Sequence, residues 1–384
     1  MAKYDITSPE EAALRKDLEP KTDAHSMRLK RYLSMPDLSR TPGSPLEEIV
    51  RKAKEVSSLK NFDEIKIPEI VPTKILFDLF NMPEGHPARS PSDTYYVDEN
   101  NVLRTHDTVF WYYYLNLPEI KKRIANKETL GAICYGKVYR KDEIDARHMN
   151  VFHQFGGWLI APDDLPRLGK AGKETLTPED LKKALTEIAT SIFGKINFRF
   201  YDHNFPYTDP SFEMEAEING KWIEMLGSGM VRKTVLSNLG LEGYHGWAFG
   251  FGLERLAIAS MQLPDIRLLW SEDGRVKKQL KLGQKFVEVS KYPPIVRDIS
   301  FIVKNDFVPN DYFDFVRELA PGIVEQVELL DKYENIEKFG AGKVSYAYRI
   351  IYRSIERTLI SEEIDKIHKK LETETTKNFN ATIR

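Results

Sequence analysis

Apolar positions near the N-terminus repeat with the period of an α-helix. Residues 46–59 (LEEIVRKAKEVSSL) place their apolar side chains on one helical stripe. Ser8 and Ser44 each precede a proline and stand three residues before a glutamate, the pattern of a helix N-terminus. The stretch 34–44 between these helices is rich in Pro, Ser and Gly and predicts a flexible connection. Residues 1–60 are therefore predicted to form an N-terminal helical extension.

From residue 61 to 270 the pattern changes to short apolar segments separated by turns. Two helices are predicted, over 105–117 (THDTVFWYYYLNL) and 177–193 (TPEDLKKALTEIATSIF). Five strands are predicted, over 128–140, 151–161, 198–207, 211–218 and 221–231. Because strands follow one another without regular strand–helix–strand alternation, we expect an α+β domain in which helices flank an antiparallel sheet.

The C-terminal residues have a different pattern. Residues 271–290 are charged and irregular, which is typical of a linker. Residues 291–384 then read strand, helix, strand, strand, helix, strand. That order is the β-α-β-β-α-β signature of a ferredoxin-like domain.

Composition and charge exclude several classes of protein. The chain has 384 residues, with 56 Lys and Arg against 58 Asp and Glu and a net charge of −2, so any nucleic acid must be held by local patches. The single cysteine, Cys134, excludes an intramolecular disulfide and fits a reducing compartment. No stretch approaches the roughly 20 apolar residues of a membrane span. The first residues are too acidic for a transit peptide. We therefore expect a cytoplasmic location, with a processed mitochondrial form as the alternative, and no membrane partner.

The segment 136–154 (GKVYRKDEIDARHMNVFHQ) carries the first candidate chemistry. A strand ends at Arg140, a polar loop follows, and a second strand begins near Val151. An arginine in this position can clamp a phosphate through two parallel hydrogen bonds, and Phe152 can stack on a planar base. The alternative is a charged hairpin loop with Arg140 in a surface ion pair.

The segment 246–258 (GWAFGFGLERLAI) is the second one with candidate binding chemistry. Gly250 and Gly252 allow close approach of a ligand to the backbone, and Glu254 and Arg255 open an apolar helix. An arginine in the first turn opposes the helix dipole, and a bound phosphate would explain it. The alternative is a strand–helix junction in which the glycines serve close packing.

The segment 205–218 (FPYTDPSFEMEAEI) is the third one with candidate binding chemistry. Strand alternation places Glu213, Glu215 and Glu217 on one face. Stacked carboxylates repel one another, so such a row is tolerated where cations neutralise it, for example Mg²⁺ on a nucleotide. A solvated outer face is the alternative.

Together these segments resemble motifs 2 and 3 of class II aminoacyl-tRNA synthetases, and in detail the phenylalanyl-tRNA synthetase family. The C-terminal unit is similar to the anticodon-binding ferredoxin-like domain of that family, and the direct fusion is similar to its single-chain, organelle-type form. The similarity covers about residue 60 to 384. Its matching strings are FNMPEGHPARSPSDTYYV, LRTHDT, VYRKDEIDARHMNVFHQ, FPYTDPS, MLGSGMV, AFGFGLERLAI, LPDIRLLW, YPPIVRDISF, VELLDKY and YRIIYRSIERTL.

The resemblance implies ATP-dependent attachment of phenylalanine to tRNA(Phe) through an adenylate, with ATP and Mg²⁺ bound in the domain 61–270. It implies that Arg140 binds the α-phosphate and the acyl carbonyl, that His148 lies beside the phosphates, and that Arg255 holds the γ-phosphate. Phe152 would stack on adenine. The residues that would orient Mg²⁺ or ATP are Asp209, where the family often has Glu, and Glu224.

The resemblance also implies a pocket for the amino acid. Phe205 and Tyr207 would sandwich the aromatic ring. Ala248 would leave room at the para edge and exclude tyrosine by volume and by an unpaired hydroxyl. The residues that would contact the amino end are His106, Thr108 and Gln154.

Two positions depart from the family pattern. The family usually reads HQ-x-E, whereas this chain has Gly156 in place of the glutamate, and Asp107 replaces the usual threonine of LRTHTT-like strings. We hypothesise that Asp107 restores the lost negative charge from across the pocket. Alternation at residue 107 can equally point the carboxylate away, and a shifted amino-acid preference stays open.

The tRNA contacts follow from the same resemblance. The candidates in the C-terminal domain are Arg349, Arg353 and Arg357, among Tyr346, Tyr348 and Tyr352. Strand alternation places Arg349 and Arg353 on the face opposite the tyrosines. The tyrosines can equally be packed inside the domain instead of stacking on bases. The alternative to a charging enzyme is a paralogue that binds tRNA or another amino acid without charging. We expect a monomer rather than a homodimer.

Overall fold

The computed structural model describes residues 2–143, 145–164, 175–218, 220–288 and 292–384. The chain divides into two compact units. The first comprises Met1–Arg140, Val151–Leu263 and Leu280–Lys285, and the second comprises Lys141–Asn150, Pro264–Gln279 and Phe286–Arg384. The loop 141–150 therefore groups with C-terminal residues, and the stretch predicted as a linker is shared between the units, with residues 289 and 290 outside the described part.

The first unit is built on a large sheet. Its strands are β1 (Lys3–Asp5), β2 (Asp63–Lys66), β3 (Ile70–Pro72), β4 (Asn101–Leu103), β5 (Leu130–Tyr139), β6 (Val151–Pro162), β7 (Phe198–Phe205), β8 (Thr208–Ile218), β9 (Lys221–Val231) and β10 (Tyr244–Gly252). Eight described strands form one sheet in the order β1-β2-β5-β6-β10-β9-β8-β7, and β3 pairs with β4. The pairs β1–β2 and β2–β5 are parallel, and the other pairs are antiparallel. The N-terminal residues thus add an edge strand that the sequence pattern did not indicate.

Helices flank this sheet. They are α1 (Pro9–Leu18), α2 (Ala24–Ser34), α3 (Pro45–Lys54), α4 (Thr73–Leu76), α5 (Phe110–Leu115), α6 (Pro118–Ala125), α7 (Pro178–Phe193), α8 (Lys233–Asn238) and α9 (Leu253–Met261). Ser8 and Ser44 cap α1 and α3 as predicted, because their hydroxyls accept backbone N–H groups of the first turn. Thr177 and Asp180 form a reciprocal capping box at α7.

The stretch 34–44 is not a flexible connection. Leu38 and Ser39 are buried, and the backbone N–H of Leu38 donates to Nε2 of His153 at 2.9 Å. The guanidinium of Arg40 lies 3.9 Å from the centre of the Tyr135 ring. The Pro- and Ser-rich composition reflects tight turns packed against the sheet, and the flexible-connection prediction was wrong.

A stacked tryptophan pair lies at the centre of the core beneath the sheet. The rings of Trp111 on α5 and Trp158 on β6 are 4.7 Å apart and nearly parallel, and both side chains are fully buried. The aromatic run 110–114 is therefore helix core, and its apolar side chains hold α5 against β6.

Replacing Trp158 by alanine is expected to lower the free energy of unfolding of the first unit by about 3–5 kcal/mol, because it leaves a large cavity under the sheet. Trp222, which is 37 % exposed on β9, is the matched control, and its alanine variant is expected to lose less than about 1 kcal/mol. Urea unfolding followed by circular dichroism measures both. Equal midpoints for the two variants would contradict this account of the core.

The second unit has the predicted ferredoxin-like order. Its strands are β11 (Ile295–Lys304), β12 (Val324–Tyr333), β13 (Lys343–Tyr352) and β14 (Thr382–Ile383), and its helices are α10 (Gly274–Lys277), α11 (Pro309–Leu319), α12 (Ile336–Phe339) and α13 (Ser361–Phe379). The sheet order is β12-β13-β11-β14. The α+β fold class is confirmed in both units. Among the helices of the described residues, none is both long enough and apolar enough to cross a membrane.

Candidate functional site

One face of the central strands of the first unit has a floor without side chains. Gly156 on β6 pairs directly with Gly250 on β10, which in turn pairs with Gly227 on β9. Directly paired residues point to the same face of a sheet, so three adjacent glycines leave a depression. Ala248 lies next to it on β10 and is buried. The predicted pocket residue Ala248 therefore borders this depression.

The side chains above this floor approach it closely. A Cβ added at Gly156 would lie 2.5 Å from Oδ2 of Asp107, and one added at Gly227 would lie 2.7 Å from the Phe205 ring. By contrast, a Cβ at Gly250 would meet only Oδ1 of Asp107, at 3.8 Å, and one at Gly252 would meet nothing within 4 Å. Gly250 and Gly252 thus face open space, whereas a Cβ at Gly246 would collide with the backbone carbonyl oxygen of Leu159. The close-packing alternative was wrong for Gly250 and Gly252, and it holds for Gly246.

Phe205 and Tyr207 form an aromatic wall beside the floor. Their rings are nearly parallel, with centres 6.0 Å apart, and the Tyr207 ring also lies 6.5 Å from His106. A third ring between them needs two van der Waals contacts, about 7 Å in total. At the observed spacing the two rings are neighbours along one wall, so a substrate ring meets them from the side unless they separate.

The turn before α5 brings His106, Asp107 and Thr108 to this site. Asp107 is 2 % exposed, and its backbone N–H donates to Oε1 of Gln154 at 3.0 Å. Burial raises the pKa of Asp107 to about 7, against the opposing effect of the Arg104 and Arg140 charges. Burial, together with the Arg140 charge, lowers the pKa of His106 to about 3. The Asp107 carboxylate points over the floor, not away from it.

Arg140 directly follows β5. Its Nε donates to the backbone carbonyl of Thr105 at 2.9 Å, and its guanidinium carbon lies 5.3 Å from the centre of the Phe152 ring. The charge of Arg140 also acts on the pKa values of His106, Asp107 and Tyr207. The structure thus brings Arg140 and Phe152 together with the amino-acid pocket.

The junction of β10 and α9 explains the arginine in a first helical turn. Glu254 is buried and accepts from the backbone N–H of His153 at 2.9 Å, and Nδ1 of His153 lies 2.6 Å from Oε1 of Glu254. Arg255 points outward, with Nη1 2.5 Å from Oε1 of Glu224, and both of these side chains are about half exposed. Two predicted nucleotide-site residues therefore lie in contact with each other.

The predicted metal residues are not gathered into a cage. Oδ2 of Asp209 lies 3.3 Å from Nη1 of Arg232, whereas Glu224 pairs with Arg255. Over the described residues, no group of three His, Cys, Asp or Glu side chains is placed to hold a metal ion. A Mg²⁺ ion that stays hydrated and is bound to the nucleotide needs only one or two protein carboxylates. Glu224 and Asp209 can each provide one.

The row of glutamates on β8 has partners within the protein. Glu215 accepts from Nε of Arg199 at 2.8 Å, Glu217 accepts from Nδ2 of Asn197 at 2.8 Å, and Oε1 of Glu213 lies 3.4 Å from Nδ1 of His203. The opposite residues of β8 are buried, as alternation predicted: Phe212, Met214 and Ala216. Side chains of β7, and not only a bound cation, therefore offset the charge repulsion.

His148 and the arginine candidates for tRNA lie in the second unit. His148 is about half exposed and pairs with Asp145 of its own loop at 2.8 Å. The three arginines each pair with an acid, as Arg349–Asp298, Arg353–Glu325 and Arg357–Glu363. Tyr346, Tyr348 and Tyr352 are buried in the core, so the tyrosines pack within the domain and do not form a stacking surface.

Some residues of the site were not anticipated from the sequence. Arg104 is 3 % exposed, its Nε donates to the backbone carbonyl of Lys137 at 2.7 Å, and its charge acts on Asp107. A charged residue directly after the apolar β4 is the signal that marks it. Gly227 had no such signal, because its role depends on the pairing of β9 with β10.

Comparisons with known proteins agree with this geometry. The family described as "tRNA synthetases class II core domain (F)" matches residues 33–280, and "Ferredoxin-fold anticodon binding domain" matches residues 290–384. The fold and the site thus define a class II aminoacyl-tRNA synthetase with a C-terminal anticodon-binding domain. Within that class, the chain belongs to the family of phenylalanine–tRNA ligases.

Three relatives illustrate the similarity. "Phenylalanine--tRNA ligase, chloroplastic/mitochondrial" of Arabidopsis thaliana is 40 % identical, with 82 % of this chain and 71 % of the relative covered. "Phenylalanine--tRNA ligase, mitochondrial" of Mus musculus is 36 % identical, with 80 % and 72 % covered. The mitochondrial enzyme of Dictyostelium discoideum is 35 % identical, with 77 % and 73 % covered. These organellar names overturn the prediction of a cytoplasmic location.

Proposed function

We propose that this protein attaches phenylalanine to tRNA(Phe) in two steps, through a phenylalanyl-adenylate formed from ATP, and that it serves an organelle. The observation that carries the proposal is the glycine floor walled by Phe205, Tyr207 and Ala248, with Arg140 at its edge. That arrangement offers an apolar wall for an aromatic side chain next to a cation for phosphate and carboxylate.

Arg140 has the central role in adenylate formation. The carboxylate of phenylalanine must attack the α-phosphorus of ATP, so two anions have to be held together, and an arginine at the pocket edge does this through paired hydrogen bonds. Phe152 lies under the same guanidinium and offers its ring to adenine. The reaction needs no protein nucleophile.

Arg255 holds the terminal phosphate of ATP in this proposal. Its present partner, Glu224, is released or shared when the nucleotide binds, and the buried Glu254 anchors the helix that carries it. Mg²⁺ bound to the phosphates would supply charge neutralisation, and Glu224, the partner of Arg255, is the carboxylate that would hold it.

Two further residues of the predicted nucleotide site have weaker support. Asp209 pairs with Arg232 and lies six residues before Glu215, the residue of β8 that pairs with Glu224, so it would not share that ion. His148 lies in the second unit, and its role beside the phosphates is implied by the family resemblance alone.

The amino-acid end of the pocket recognises the ring and the backbone of phenylalanine. Ala248 borders the para position and leaves no partner for a tyrosine hydroxyl, so tyrosine is disfavoured. His106 is a neutral imidazole because its pKa is low, and it therefore offers a hydrogen bond without repelling an ammonium group. Thr108 and Gln154 lie at the same end of the pocket.

Charging itself tests this function directly. The purified full chain, incubated with ATP, Mg²⁺, phenylalanine and a tRNA(Phe) transcript, is expected to form phenylalanyl-tRNA at a rate that depends on all four components. A tRNA for another amino acid is the control. If the protein bound tRNA(Phe) but formed no ester, the binding-only paralogue would replace the proposal.

The arginines of the second unit give a prediction for tRNA binding. Replacing Arg349, Arg353 and Arg357 together by alanine is expected to raise the KM for tRNA about tenfold or more and to reduce its salt dependence, because cations near the phosphates are lost. Pyrophosphate exchange, which needs no tRNA, is expected to stay unchanged. Arg275→Ala, an exposed arginine also paired with an acid, is the matched control. Equal effects of the control and the triple variant would exclude a specific role.

A further inference from the structure

In its present conformation the Asp107 side chain and a side chain at position 156 compete for the same space. The carboxylate of Asp107 occupies the space where a side chain of residue 156 would begin, since a Cβ at Gly156 would lie within 2.5–2.8 Å of both carboxylate oxygens. Real Cβ atoms essentially never come that close to a neighbour. An acidic side chain therefore reaches this point from one position or from the other, and this chain uses position 107.

The Asp107 carboxylate has unused hydrogen-bonding capacity. Its Oδ2 is buried and has no hydrogen-bond partner within the part of the chain that the structure describes. A buried, unpartnered carboxylate oxygen is costly, and in a ligand pocket it indicates a missing cationic or donor group. The same carboxylate faces the open space above Gly250.

Arg104 is the competing partner, since its charge acts on Asp107. However, the Nε of Arg104 is directed to Lys137, and its charge is also offset by Glu69. Because Oδ2 receives no hydrogen bond from it, Arg104 does not saturate Asp107. The carboxylate keeps a place for a further cation.

We propose, resting on the charging function above, that Asp107 is the carboxylate that receives the ammonium group of phenylalanine. It thereby takes the place of the glutamate that family members carry at position 156. The two departures from the family pattern are one coupled exchange: the charge has moved from β6 to the turn before α5, and Gly156 provides the space for it.

The ionisation of Asp107 makes the binding of phenylalanine depend on pH. The charges of Arg104 and Arg140 act on it, Asp107 itself raises the pKa values of the neutral Tyr207 and Cys134, and His106 beside it is neutral. Its pKa is about 7 without ligand, and an ammonium group lowers it, so binding releases a proton. The affinity for phenylalanine is therefore expected to rise with pH, by up to tenfold per unit below pH 7, and to level off above it.

The test compares single and paired variants of the full chain by the dissociation constant of phenylalanine. Asp107→Asn is expected to weaken binding about ten- to a hundredfold and to flatten the pH dependence. Gly156→Glu alone is expected to lose phenylalanine binding, because the new side chain collides with Asp107. The double variant Asp107→Thr, Gly156→Glu is expected to recover binding, and this recovery is the signature of a coupled exchange.

An analogue without the amino group separates recognition from structure. 3-Phenylpropanoate keeps the ring and the carboxylate, so Asp107→Asn is expected to leave its inhibition constant unchanged or lower it while phenylalanine binding falls. Asp63→Asn is the matched control, because Asp63 is a buried aspartate bonded to Tyr114 and Arg123. It is expected to lose stability and to keep both the affinity and the pH profile.

Unchanged phenylalanine affinity in Asp107→Asn, together with a lower unfolding midpoint at pH 8, would overturn the proposal. Asp107 would then serve as a structural partner of the Arg104 charge. If Asp107→Asn did not fold, failure of the folded double variant to bind phenylalanine would overturn it as well. A wild-type chain that charges tRNA with phenylalanine while Asp107→Asn binds normally would refute this inference alone. A wild-type chain without phenylalanine-dependent activity would refute the proposed function instead.

Discussion

Alanine in place of Arg140 is expected to reduce phenylalanine-dependent pyrophosphate exchange about a thousandfold, the largest effect of any single substitution in the site. The guanidinium is the cation at the edge of the pocket, and its charge acts on three side chains within it. The loss of one directed donor to a developing phosphate charge typically costs a hundred- to a thousandfold. The loss is expected mainly in kcat, because charge development is greatest in the transition state.

Lysine at position 140 is expected to recover only a small part of the activity. Lysine keeps the positive charge, but it lacks the planar fork that donates two parallel hydrogen bonds and lies 5.3 Å from the centre of the Phe152 ring. Arg199→Ala, on the outer edge strand, is the control and is expected to retain exchange activity. An Arg140→Ala variant with more than a tenth of the wild-type kcat would refute the role given to this arginine.

Alanine in place of Gly227 is expected to raise the KM for phenylalanine about ten- to a hundredfold with a smaller change in kcat. Its Cβ would lie 2.7 Å from the Phe205 ring, so the ring must shift and the aromatic wall of the pocket changes shape. One methyl group in a closely fitted apolar pocket is worth about 1–3 kcal/mol of discrimination. Kinetics of exchange over a range of phenylalanine concentrations measures the effect.

Gly274→Ala is the matched control for this substitution. A Cβ at Gly274 meets nothing within 4 Å, and the residue begins a helix, where alanine is favoured. Its KM and its stability are expected to be unchanged or slightly improved. If Gly227→Ala kept the wild-type KM, Phe205 would not border the binding site of the amino-acid ring.

Most elements of the fold were predictable because their signals are local. Ser8, Ser44 and Thr177 mark helix starts by the hydrogen bonds that their own side chains make. The edge strand β1 was not predictable, because three polar residues become a strand only through pairing with β2. The burial of Leu38 likewise depends on a distant partner, His153.

In the site, too, residues with a local sequence signal were predictable, and arrangements that depend on tertiary packing were not. Arg140, Phe152 and Arg255 were identified from motifs whose spacing within the sequence is characteristic. The direction of the Asp107 carboxylate was not decided by strand alternation, because residue 107 lies in a turn and not in a strand. Its meeting with Gly156 depends on how that turn packs over β6, which only the tertiary structure gives.

The measurement that tests the central claim most directly is amino-acid-dependent exchange of pyrophosphate into ATP, carried out with the full chain and each of the twenty amino acids in turn. The account predicts exchange with phenylalanine at least a hundredfold faster than with tyrosine, and none above background with the other amino acids. Exchange with a different amino acid, or with none, would contradict it.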